Sequence, residues 1–139
     1  MYVWAAIPML LSGLTALIIE QEAMLCHQRQ EDRVEKLLAR RGLVAQCQSL
    51  YGLCDPLLSD LKDLVELRNE IIHPAHTATG TRDNWPDEIR HIKLRGLLQS
   101  TGREDGDYIM LSQMKSLRLL EWATSTVEQV RAIIIGHPR

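Results

Sequence analysis

The first nineteen residues of the chain are almost entirely apolar, and no Lys or Arg occurs before Arg29. A run of this length must leave water, either by entering a protein core or by crossing a membrane. A secretory signal places a positive side chain ahead of its apolar stretch, and none is present here. A membrane span is conceivable by length, but Pro8, Ser12, Gly13 and Thr15 interrupt the run. The helical pattern also continues through Glu20, Glu22, Met24 and Leu25 into polar sequence. The reading is a core helix over about Tyr2 to His27, so broadly apolar that it is expected to be central and mostly surrounded. Pro8 marks a kink or the true start. A membrane-tethered helix is the alternative.

The remaining chain is also patterned for helices. Glu31 to Arg41 carries Val34, Leu37 and Leu38 on one face, before Gly42. Leu43 to Leu53 suits a further short helix, and Asp55-Pro56 punctuates the chain. From Leu57 to Ile72, residues Leu57, Leu61, Leu64, Leu67 and Ile71 recur in steps of three and four, with Val65 beside them. Ser59, Asp60 and Asp63 lie in its early turns, where negative charge suits the helix dipole. Pro74 ends it.

Residues 75–86 read as a loop, and 87–98 as a helix or a less regular cover. Residues 101–107 read as a polar turn. A last helix starts at Ser112 or Ser116 and runs to about Ile135. Its apolar face is Leu119, Leu120, Ala123, Val127, Val130 and Ile134, with Trp122 near the edge. Phe is absent and aromatics make up 4% of the chain, a balance that favours aliphatic helix packing over a β-sandwich. The expected architecture is one all-α domain over residues 1–139, an up-and-down bundle of four to five helices.

Net charge is −2, so bulk electrostatics give no case for nucleic-acid binding. The charge is uneven, with 7 basic and 10 acidic residues in positions 1–70 against 9 and 8 in 71–139. A local basic patch in the second half remains open. The odd set Cys26, Cys47 and Cys54 suggests reduced thiols, and a cytoplasmic setting is expected.

The chemistry-bearing stretch is Leu67-Arg68-Asn69-Glu70-Ile71-Ile72-His73-Pro74. Arg68 can grip phosphate oxygens with a planar fork. His73 can move a proton near neutral pH. Asn69 can donate to a phosphate or orient a hydroxyl. On an ideal helix, five residues leave Arg68 and His73 about 140° apart. Pro74 offers a release, because the residue before proline is pushed out of helical geometry. A plainer reading also stands. Arg68 pairs with Asp63, Glu66 or Glu70 at the surface, and His-Pro is an ordinary helix ending.

These eight residues resemble the Arg-x4-6-His motif of HEPN domains, including the polar residue after Arg. The resemblance covers most of the chain loosely, through helix order, and only these residues closely. It implies a small helical bundle that dimerises, with two copies of the motif lining a shared cleft. It further implies a metal-independent endoribonuclease, of the kind found in toxin–antitoxin and phage-defence systems. On that pattern His73 assists attack of the RNA 2′-hydroxyl, Arg68 stabilises developing charge and Asn69 positions the phosphate. Partners would be RNA, a second copy and an antitoxin protein, with no cofactor and no membrane. Other HEPN domains are inactive modules that bind nucleotides or proteins, which is the alternative here. Some antitoxin-paired members carry a modified Tyr two positions after the His; this chain has Ala75 there, which puts control by that route in doubt.

Arg90, Lys93 and Arg95, with His91, form a basic cluster that could track an RNA backbone, joined by Arg82 and Arg103. A solvated helix face is the simpler reading of the same cluster. Trp85 could stack on a base or anchor its loop. His73 and His76 are three apart, as metal ligands can be, but Pro74 separates them and Cys47 and Cys54 lack the tight spacing of a zinc knuckle, so no metal is expected.

Overall fold

The computed structural model describes residues 3–29, 42–72, 87–98 and 117–137. Five helices lie among them: α1 Val3–Arg29, α2 Leu43–Tyr51, α3 Leu57–Ile72, α4 Asp87–Leu94 and α5 Leu117–Gly136. The described residues contain no strand, and the architecture is an all-α bundle. The expected helix at 31–41, the loop at 75–86 and the turn at 101–107 lie outside the described residues.

Each helix is placed by its aliphatic stripe. Ile7, Leu11, Leu14 and Ile18 of α1 meet Leu119, Ala123, Val127, Val130 and Ile134 of α5 and Leu61, Leu64 and Leu67 of α3 in one core. Leu43, Cys47 and Tyr51 of α2 and Ile89 and Ile92 of α4 join the same core. Burial pushes the Cys47 thiol up to about 12, which makes it a packing group and not a nucleophile.

The termini have local causes. Gly52 adopts a left-handed conformation (φ 67°) after α2, and its N–H returns to the Cys47 carbonyl. A Cβ is disfavoured in that geometry, and glycine lacks one. Asp55 Oδ1 accepts from Ser59 N–H at 3.1 Å and from Ser59 Oγ at 2.7 Å, so Asp55 holds the first turn of α3.

α1 departs from expectation. It runs unbroken through Pro8, as Val3–Arg29. It is not surrounded, since only 28% of its Ala5–Met24 stretch is buried. Among the described helices it packs chiefly on α5 and α3, both on one side. Its other face leaves Met9 75%, Ile19 54% and Met24 48% exposed. Ala5–Met24 is long and apolar enough to cross a membrane by length and composition alone. Its inner stripe, however, is part of the bundle core. Glu22, fully buried at the end of that stripe, accepts a hydrogen bond from Tyr51 Oη at 3.1 Å.

Candidate functional site

The site begins with the register of α3. Leu61, Leu64 and Leu67 are fully buried, as their spacing predicts, while Leu57 and Ile71 are only half-buried. Leu58, Asp63 and Glu70 are buried in addition, so the inward face is rotated slightly from the leucine stripe alone. Arg68 therefore sits half-buried at the edge of the packed face, and Asn69 is exposed. The Arg68 guanidinium donates to Asn69 Oδ1 through Nε (3.4 Å) and Nη2 (3.1 Å). This contact sets the cation and the amide side by side at the C-terminal end of α3. Peptide carbonyls collect there, and a cation is favoured. His73, the third member of the expected site, lies outside the described residues, as do Pro74, Ala75 and His76.

Surface pairing of Arg68 with Asp63 or Glu70 does not match this geometry. Asp63 is 3% exposed and Glu70 2% exposed, so neither belongs to the solvated face. Asp63 is instead engaged across helices. His91 Nδ1 of α4 lies 3.4 Å from Asp63 Oδ1. One turn earlier on α3, Asp60 Oδ1 accepts from Arg95 Nη1 at 2.6 Å. The Arg95 guanidinium also stands over the Trp122 ring of α5, 5.9 Å from its centroid. The two carboxylates and the two basic side chains thus form a ladder that holds α4 on α3. Burial raises the Asp63 carboxyl above its usual pKa of 3.8, while the His91 hydrogen bond and charge, and the Arg95 charge, pull it back.

The expected basic cluster is thereby divided. Arg95 is tied to Asp60 and Trp122. Arg90 is half in solvent and lies 3.3 Å from Asp87 on its own helix. Lys93 belongs to the same short helix. The early-turn reading of Asp60 and Asp63 missed the ladder. One signal for it was present in the sequence: acids three apart on one helix match bases four apart in the other segment, each pair roughly one turn. Among the described residues, no group of three or more His, Cys, Asp or Glu side chains is placed to hold a metal ion.

A groove of about 430 Å³ opens between α1 and α5, lined by Met9, Leu10, Gly13, Leu17, Leu120 and Val127 among others. It is apolar and belongs to different helices from Arg68. The chain matches no protein-family profile, no curated protein and no solved structure.

Proposed function

We propose that the chain is a HEPN-like, metal-independent endoribonuclease acting through Arg68, Asn69 and His73, in the cytoplasm and as a homodimer. The observation that carries this reading is the Arg68–Asn69 pair. It joins a fork-shaped cation and an amide at an accessible helix end, and the nearby carboxylates Asp63 and Glu70 are turned into the packed face. In the proposed reaction the 2′-oxygen of RNA bonds to the adjacent phosphorus while the bond to the 5′-oxygen breaks. The products are a 2′,3′-cyclic phosphate and a 5′-hydroxyl. Arg68 offsets the charge that builds on the phosphoryl oxygens, Asn69 fixes the phosphate and His73 assists the proton transfer. An antitoxin protein is the expected regulator.

The alternative is a catalytically silent module of the same type that binds a nucleotide or a protein. The ladder favours it to this extent: Arg95 is committed to the fold, which reduces the cationic track available to RNA. One assay separates the two. Purified protein is expected to cleave single-stranded RNA in EDTA, and His73→Ala is expected to abolish cleavage with the helical circular-dichroism signal unchanged. Cleavage that survives His73→Ala would sink the mechanism, and a wild-type protein inert on RNA points to the silent module.

A further inference from the structure

We infer that the groove between α1 and α5 is a binding site for a single-chain aliphatic carboxylate of medium length. The inference uses neither Arg68 nor the ribonuclease reading.

The two walls of the groove run in the same direction. Tyr51 Oη donates to Glu22 on α1, and the Tyr51 ring meets the His137 ring just past α5 edge-on, with centroids 5.4 Å apart. Glu22 and His137 therefore lie at one level. Counting back from both sets Leu17 beside Arg131 at one end of the groove and Ala6 beside Leu120 at the other. From Ala6 to Leu17, or from Leu120 to Arg131, a helix rises about 16 Å. The space between the walls is about 430 Å³, inside the range of about 300–1,000 Å³ usual for small-molecule sites.

Gly13 lies midway along the α1 wall. Its backbone is helical, so no turn requires a glycine there. No neighbouring side chain or helix comes within 4 Å of the point where a Cβ would stand. A glycine inside a helix costs about 1 kcal/mol relative to alanine. Neither conformation nor packing accounts for it here. What it does is leave the floor of the groove open.

The lining selects the occupant. It is apolar except for Thr124 and, at the Leu17 end, Arg131, its one ionisable side chain among the described residues. A peptide laid in the groove would bring N–H and C=O groups to a surface that offers them few partners, which is costly. An alkyl chain carries no such groups. With C–C bonds of about 1.5 Å, an extended chain of roughly ten to twelve carbons matches the length of the groove. Its carboxylate would then stand at Arg131. That guanidinium lies 3.7 Å from Glu128 Oε2, with side chains 55% and 62% exposed. Such a pair contributes little, so Arg131 can turn its fork to a ligand carboxylate. Glu20 is exposed one turn beyond Leu17. Together with Glu128 it keeps the affinity modest.

Calorimetric titration of the full chain with decanoate, below its micelle concentration, tests this, with circular dichroism to verify each variant. Decanoate is expected to saturate one site with a submillimolar Kd. Decanol and decyltrimethylammonium should bind at least about tenfold more weakly. Arg131→Gln should erase the preference for decanoate over decanol. Gly13→Leu, which fills the floor, should weaken decanoate at least about tenfold without lowering the thermal midpoint, because leucine is the better helix former. Thr124→Leu narrows the groove from the other wall at an exposed position and should weaken it in the same way. Three outcomes overturn the inference. The first is no saturable binding of decanoate. The second is binding unchanged in the folded wall variants. The third is a neutral or cationic amphiphile held as tightly as decanoate. Loss or presence of RNA cleavage does not enter the result.

Discussion

The two halves of α3 present polar side chains of similar kinds and use them differently. In the first half, Asp60 and Asp63 meet Arg95 and His91 from the neighbouring segment, and the interaction holds one element to another. At the far end, Arg68 is held by Asn69, its own neighbour in sequence. A charge matched across helices is committed to the fold. A charge whose contact among the described residues is with its own neighbour can exchange that contact for a ligand at little expense to the bundle. The comparison indicates where chemistry should be sought in this protein and where it should not.

The largest effect expected is at the open end. Arg68→Ala should reduce RNA cleavage by about 10²–10³-fold, the usual loss for one donor to a developing oxyanion. Its thermal midpoint should stay close to wild type, because the side chain's described contact is with Asn69. Arg68→Lys should recover little, since an ammonium does not reproduce the planar fork. A collapse of stability in Arg68→Ala would erase the distinction between the two halves.

Arg95→Ala is the mirror experiment. It removes the partner of Asp60 and the cation over Trp122, at a partly exposed site. A loss of about 1–2 kcal/mol in chemical denaturation is expected, with cleavage within about twofold of wild type. If cleavage falls along with stability, Arg95 belongs to an RNA track after all.

A smaller effect should appear in the pH dependence of stability. The folded pKa of Asp63 is raised above its unfolded 3.8, chiefly by burial. Its contribution is therefore fully present below pH 3.8 and is lost as pH rises through the folded value. Asp63→Asn should flatten that decline in urea titrations. His91→Ala should carry the decline to higher pH, because it removes an interaction that pulls the carboxyl down. The smallest effect is expected at Trp122, whose Nε1 is buried without an acceptor among the described residues. Trp122→Phe removes that unsatisfied N–H while keeping a ring under Arg95, and should change stability by less than about 1 kcal/mol.

The bounds of α3 were legible because leucines in steps of three and four lie between Asp55-Pro56 and Pro74. The inward face of α5 was legible for the same reason: Leu119, Ala123, Val127, Val130 and Ile134 are all buried. The orientation of α1 was not legible. Where nearly every residue is apolar, periodicity cannot say which side faces in. Nor was the partnership of Asp63 with His91, 28 residues away, or of Asp60 with Arg95, 35 away. Local composition does not encode which distant helix returns to cover a carboxylate. The adjacency of Arg68 and Asn69 was legible in the sequence itself. Their side-chain contact became visible only with the hydrogen bonds from the Arg68 guanidinium to Asn69 Oδ1.

The bond between Tyr51 and Glu22 has a consequence for how α1 selects its position. A helix apolar on nearly every side carries few polar marks to fix its rotation, although Ile7, Leu11, Leu14 and Ile18 make the inner stripe the bulkier one. Turning it would carry Glu22 out of reach of Tyr51. It would break a buried side-chain hydrogen bond, worth about 0.5–1.5 kcal/mol. A single carboxylate thus acts as an index mark, telling an apolar helix which of its faces is the inside.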